Sequence, residues 1–280
     1  MADSFTEYWQ TIKNIECAED EMIFYRGVAN SSFGFNPGCV FETDIDEDVA
    51  YHNIILEFPE EFDKKDHLGN LVKMQHFGLP TRLLDLTTNP LIALFFAAEQ
   101  DKGGVDGAVN ILRIKKKDIL HHSSDRALML ACLPAFSIAD QEKIKSFCKE
   151  HRGVITEQDI QFDNVMKRFI HEVRGEYPSF EIAIVGQDLL DCFVVRTNKN
   201  NERIKFQNGA FVIFGLDVEE NCKKIESMQI NSFTVKNSAK KELLNDLAKF
   251  GINTSSIYPG LERTAVYLRN KKLAWKNLYE

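Results

Sequence analysis

Apolar and polar positions along this chain change their period several times. Residues 5–20 repeat at helical spacing, and the run MIFYRGV (22–28) has the apolar and aromatic density of a buried strand. Gly, Asn, Ser and Pro in ANSSFGFNPG then break the chain. The acidic stretch from Asp44 leads into a helix, DVAYHNIILEFPEEF, that ends near Pro59. Its Val49, Ile54, Ile55 and Phe58 recur at roughly helical spacing, which assigns the acids to a solvated face. A second helix runs to about Gln75 and His76, and FGLPTRLLDLTT reads as a connecting loop. Asn89 and Pro90 open the next helix, because Asn is a good N-cap and Pro suits the first helical position. Leu91, Leu94, Phe95 and Ala98 mark one face of it, and Ile92, Ala93, Phe96 and Ala97 leave hardly any polar face. Such a helix is expected to be buried nearly all round.

GAVNILRI (107–114) reads as a strand after a glycine turn, and residues 118–185 become helical and more polar. Strand signals return in DCFVVRT (191–197), ERIKFQNGAFVIFGL (202–216) and SFTVKN (232–237). A helix opens at Ser238 and stops at Gly251, an N-cap and C′ pair, and a last helix is expected after IYPGLER. Strands thus fall in two regions separated by a helical segment. That pattern predicts a single α+β domain over residues 1–280 with a helical insertion at 118–185.

Composition narrows the function classes. The net charge of −8 favours solubility and weighs against general nucleic-acid binding. Short basic runs such as Lys115-Lys116-Lys117 read as solvated faces. The six cysteines contain no C-x-x-C pair, and a chain of this length has no need of disulfides. The first residues lack a charged-then-apolar signal pattern, and no apolar run approaches membrane-spanning length. A cytoplasmic protein without membrane contact is expected. His121-His122 and His171-Glu172 stand apart from other ligand types, so no metal site is expected.

Chemistry concentrates in three places. Arg26 leaves an apolar strand and is followed by Gly27, so its guanidinium can present a fork to a phosphate or carboxylate; a salt bridge at the strand end is the plainer alternative. In the second place, Gln75, His76, Thr81, Arg82, Asp85 and Thr87 gather between two helices, with Asn89 at the next helix start. Free amides at such a start bind anions. The competing reading there has Asp85 and Thr87 capping turns and Arg82 paired to Asp85. The third place is KFQNGAFVIFG, where Gln207 lies at the boundary between an alternating and a continuous apolar run, and Gly209 suggests a bulge or a close backbone approach.

FYRG, QHFGLPTRLLDLTTNPLIALFFA and RIKFQNGAFVIFG resemble, in order and separation, the hallmark blocks of the FRG domain family, bacterial and phage proteins named for an aromatic-Arg-Gly motif. GINTSSIYPGLERTAVYL resembles that family's C-terminal end. A remoter similarity is to ADP-ribosyltransferases of the arginine–serine–glutamate type. Their aromatic-Arg-Gly strand holds NAD, a Ser-Thr-Ser strand leads into a helix, and a later strand carries Glu-x-Glu. This similarity implies a mixed or antiparallel, split β-sheet flanked by helices, and NAD as substrate. Arg26 matches the first element, Asp85-Leu86-Thr87 stands where Ser-Thr-Ser would, and Gln207 and Gly209 replace the acidic pair.

The resemblance therefore implies catalytic roles for Arg26, Asp85 and Gln207. It implies cofactor contacts from Tyr25, Gly27, Gln75, His76, Thr81, Arg82 and Thr87. Transfer from NAD passes through an oxocarbenium-like state that a carboxylate stabilises. A neutral Gln supplies no charge, so Asp85 is the expected substitute, with Glu262 a weaker candidate. The implied function is ADP-ribosyl transfer or NAD hydrolysis, in a toxin or phage-defence effector. The alternative is a non-catalytic module that binds a nucleotide or a protein partner. A nuclease would need an acidic metal cluster, for which only the run from Asp44 to Asp48 is available.

Overall fold

The structure, a computed structural model, describes residues 4–41, 45–62, 65–99, 103–197 and 207–258. Helix α1 (Phe5–Lys13) is shorter than its periodicity implied: Ser4 caps it and Asn14 closes it. Strand β1 (Glu21–Val28), the one-turn helix α2 (Gly38–Phe41), α3 (Glu47–Glu57) and α4 (His67–His76) follow. In α3 the inward positions are Glu47, Ala50 and Tyr51, with Ile54 packed beside them, at i, i+3, i+4 and i+7. The assignment of the acids to a solvated face is therefore wrong for Glu47, which is buried. Val49 and Phe58, expected inside, are 47% and 55% exposed. The carboxylate of Glu47 turns inward to meet Arg82, and this sets the rotation of the helix.

LLDLT is a strand and not part of a loop. β2 (Leu83–Thr87) lies in the middle of the main sheet. Leu83 joins the core on one face while Leu84 and Leu86 join the core on the other, so burial on both faces hides the period of two. Helix α5 (Pro90–Ala98) starts as expected at an Asn89 cap and is buried nearly all round. β3 (Gly107–Lys115) and the short β4 (Ile119–His121) lead into the helical segment. That segment holds α6 (Asp125–Cys132), α7 (Ile138–Glu150), α8 (Glu157–Ile160), α9 (Asn164–Glu176) and α10 (Gly186–Leu190). A small two-stranded sheet, β5 (Val154–Ile155) with β6 (Ile184–Val185), is embedded in it.

β7 (Phe193–Arg196), β8 (Gly209–Ile213) and β9 (Gln229–Val235) complete the strands, with helix Val218–Met228 between the last two. Asn208, at φ 46, makes the left-handed turn into β8, and Gly209 pairs with Thr87 in the regular register, without a bulge. Helix Lys240–Lys249 is preceded by a 3₁₀ turn containing Ser238, which does not cap it. Gly251 ends it at φ 77, the left-handed value that favours glycine. The expected strand residues 202–206 and the helix after IYPGLER lie outside the described residues.

The main sheet runs β4-β7-β8-β2-β1-β3-β9 and is antiparallel except for β4 with β7. β1 pairs with β3 along its whole length, and β2 pairs with β8 along its whole length. Between β1 and β2 the register holds at Tyr25 and Thr87 alone. The sheet is thus split into two ladders joined at one point. On one face, α4, α6 and α9 cover the ladder containing β2, while α1, α5 and helix Lys240–Lys249 cover the ladder containing β1. A third core on the opposite face, under helix Val218–Met228, spans both ladders. This is an α+β architecture.

Candidate functional site

Where β1 and β2 diverge, a cleft of about 260 Å³ opens. Tyr25, Arg26, Asp85, Thr87 and Gln207, drawn from two of the blocks singled out in the sequence and the edge of the third, all line it. Phe33, Phe96, Glu99 and Tyr258 also line it. Glu99 follows a helix without one polar residue, and it is the first charged side chain after that apolar run. That position was its only signal in the sequence.

Arg26 reaches across the gap. Its Nη1 donates to the main-chain carbonyl of Asp85 at 3.3 Å, standing in for a ladder bond that the diverging strands do not make. Its Nε is buried and, among the described residues, has no hydrogen-bond partner. An unpaired buried donor is costly, and a bound anion would satisfy it. Burial lowers the Arg26 pKa from its ordinary value, and the nearby charge of Asp85 opposes that shift. The plainer reading of Arg26, as a salt-bridged strand end, is not what the geometry gives.

Asp85 is held from the α4 side. Gln75 Nε2 donates to Asp85 Oδ2 at 2.9 Å, and Thr81 Oγ1 donates to Gln75 Oε1 at 2.5 Å. The Leu83 N–H donates in turn to Thr81 Oγ1 at 3.2 Å. Gln75 and Thr81 thus orient Asp85 without lining the cleft. Both Asp85 oxygens are acceptors, and among the described residues only Oδ2 is engaged.

Thr87 and Gln207 are tied into the frame. The Thr87 hydroxyl donates to the Gln207 carbonyl at 2.6 Å and accepts from the Asn89 N–H at 3.0 Å. Gln207 Nε2 donates to the Ile257 carbonyl at 3.1 Å, which anchors the one-turn helix Thr254–Ile257 beside the cleft. At the start of α5, Asn89 Oδ1 accepts from the Leu91 N–H, and these residues do not line the cleft. Gly27 serves packing. A Cβ there would sit 1.9 Å from the Ala93 carbonyl oxygen, so glycine lets α5 lie directly on β1.

Two residues expected at the site lie elsewhere. His76 stacks on Phe77, which is exposed, and does not line the cleft. Arg82 is buried and faces away. Its Nη2 and Nε donate to Glu47 Oε2 at 2.6 and 3.0 Å, and Nη2 also donates to Gln141 Oε1. Its partner is Glu47 and not Asp85, a pairing hidden from sequence because 35 residues separate the two. Glu47 of the acidic run from Asp44 to Asp48 is thus engaged by Arg82, and no group of three or more candidate metal ligands occurs among the described residues. Glu262 and Asp44 lie outside the described residues.

These observations bear on family. Residues 21–104 match the FRG domain family. The FRG segment carries Arg26, Gln75, Asp85 and Glu99, and Gln207 lies beyond it. No curated protein and no solved structure matches the chain. Among the described residues, no helix is long and apolar enough to cross a membrane.

Proposed function

We propose that the cleft between β1 and β2 binds a nucleotide and that the protein is an ADP-ribosyltransferase-like enzyme consuming NAD. The observation that carries this reading is Arg26, a half-buried cation whose buried Nε is unpaired among the described residues, in a cleft it shares with Asp85. A pyrophosphate or phosphate oxygen would satisfy that donor. The volume of about 260 Å³ is at the lower edge of small-molecule sites. It suits one nucleotide half inside, with the remainder of NAD along the open mouth.

In this reading the bond between the nicotinamide nitrogen and the ribose C1 breaks, and nicotinamide leaves with the electron pair. Asp85 stabilises the positive charge that develops on the ribose. A water or an acceptor side chain then bonds to C1 and releases its proton. The Gln75–Thr81 relay fixes the carboxylate before substrate arrives, which lowers the cost of reorganisation. Gln207 contributes by anchoring the cleft wall. An activity of this kind would deplete cellular NAD, which is the chemistry of a toxin or a phage-defence effector.

The test is to incubate the purified protein with NAD, with and without cell extract as an acceptor source, and to measure nicotinamide. Asp85→Asn should lose release while keeping its melting temperature, and Arg26→Ala should lose binding. Intact NAD in every condition would refute turnover. One observation favours a second reading, a nucleotide-binding module without chemistry: Gln207, which is neutral, stands where the acidic pair would be. That module predicts that NAD or ADP-ribose raises the melting temperature and is recovered unchanged.

A further inference from the structure

The parallel pair of the main sheet, β4 with β7, opens a second cavity. β4 ends at His121 and β7 ends at Arg196, and these two residues are register partners. Neighbouring strands lie about 5 Å apart, so two basic residues stand side by side at the carboxyl ends of both strands. Parallel strands of open sheets receive their ligands in the crevice beyond those ends. Here the crevice has a volume of about 630 Å³, and His121, Arg196 and the residue after each, His122 and Thr197, line it together with Lys116.

No carboxylate is among the described residues lining this cavity, although the chain has 42 acidic residues against 34 Lys and Arg. Elsewhere such cations are neutralised: Arg126 meets Asp188 at 2.8 Å, and Lys224 meets Asp191 at 3.2 Å. Cations gathered without a counter-charge repel one another, and a bound anion removes that cost. Lys116 Nζ donates to the Glu19 carbonyl at 2.6 Å, which positions the ammonium and leaves it further donors. The Ser123 N–H donates to His121 Nδ1 at 3.4 Å, so the neutral ring carries its proton on Nε2, a donor. The His121 and His122 ring centroids are 4.2 Å apart. Thr197 Oγ1 is buried and, among the described residues, has no hydrogen-bond partner. A buried hydroxyl in that state is costly until a ligand pairs with it.

We propose that the cavity at the ends of β4 and β7 binds a small organic phosphomonoester. Arg196, Lys116, His121 and Thr197 take its phosphate, and Met22 and Ile119 carry its organic body. Arginine offers parallel N–H donors to phosphate oxygens, and lysine adds a point charge. The volume exceeds what a phosphate ion alone fills and lies within the range of small-molecule sites. This cavity shares no lining residue with the cleft between β1 and β2, so the proposal does not rest on the nucleotide reading.

The probe is phenyl phosphate, titrated calorimetrically against the full chain, with inorganic phosphate and a single-stranded oligonucleotide as comparisons. Phenyl phosphate should bind more tightly than inorganic phosphate. Arg196→Gln should weaken it roughly tenfold or more, as expected for loss of a hydrogen-bonded charge. Arg196 is exposed, so this variant should keep its melting temperature. Thr197→Val should weaken binding about threefold. Arg26→Ala should leave phenyl phosphate binding unchanged. Absence of binding at millimolar probe, or binding indifferent to Arg196→Gln, would overturn the proposal. Binding lost in Arg26→Ala would assign the probe to the other cleft and overturn it equally. Inorganic phosphate binding as tightly as phenyl phosphate would overturn the role given to Met22 and Ile119. An oligonucleotide that binds more tightly through Arg196 would overturn the small-molecule ligand in favour of a nucleic-acid surface.

Discussion

Replacing Glu47 with alanine should cost this protein more stability than an ordinary core substitution. The Glu47 carboxylate accepts from the Arg82 main-chain N–H at 2.6 Å, from Nη2 at 2.6 Å and from Nε at 3.0 Å. The two side chains are 7% and 6% exposed. Truncation at Glu47 leaves the guanidinium buried with neutral partners alone, Gln141 Oε1 and the Phe214 carbonyl. Breaking a buried pair from one side costs about 3–5 kcal/mol. At about 2–4 °C per kcal/mol for a chain of this size, the melting temperature should fall by roughly 6–20 °C. Calorimetry or far-UV circular dichroism would measure it. The double variant Glu47→Leu/Arg82→Met removes both charges and should recover most of the loss, because the penalty lies in the orphaned charge and not in the lost attraction. A loss under about 1 kcal/mol in the single variant, or a double variant no more stable than the single, would refute this account of the pair.

Gly27→Ala should destabilise by about 1–3 kcal/mol or more, because its new Cβ meets the Ala93 carbonyl and α5 must move; denaturant titration measures this, and an unchanged midpoint would argue for a ligand-facing glycine. Gln75→Leu should leave nucleotide affinity nearly intact and lower the rate of nicotinamide release about tenfold, since it frees the Asp85 carboxylate to rotate. Burial lowers the His67 pKa, with Glu172 and then Asp66 opposing. The unfolded state then binds a proton at a higher pH than the folded state does. Stability should be full above about pH 6.5 and should decline as the pH falls below it. Melting temperatures from pH 5 to 8 should show this slope in the wild type and a flatter one in His67→Gln. Cys17 is the exposed thiol, while burial pushes Cys148 and Cys192 up to about 12, so a thiol reagent should label Cys17 first in the native protein.

Much of the fold was legible in the sequence where the pattern had one dominant cause. The Asn89–Pro90 start of α5, the apolar run of β1 and the stop at Gly251 rest on local rules, and each appears in the structure. The misreadings share a different origin. LLDLT looked like a loop because a strand buried on both faces loses its alternation. Glu47 looked solvated because its partner is remote in sequence. The site shows the same division. Arg26, Asp85, Thr87 and Gln207 were found from their chemistry, and the structure brings them to one cleft. Glu99 and Tyr258 are 159 residues apart, and nothing local announces that they meet.

The single junction between β1 and β2 has a consequence for how the chain is made. Within the FRG segment, 21–104, these two strands meet at one residue pair. Their extended ladders need β3, which ends at Lys115, and β8, which begins at Gly209. A ribosome delivering the chain from its N-terminus therefore releases β2 well before its main neighbour exists. Until about residue 213 emerges, Leu83, Leu84 and Leu86 have no ladder on that side. The nascent protein carries an unpaired, leucine-rich strand edge while residues 88–208 are made, the kind of edge that recruits chaperones or invites aggregation. An excised 21–104 fragment should accordingly collect in inclusion bodies, even though the full chain folds around the same residues.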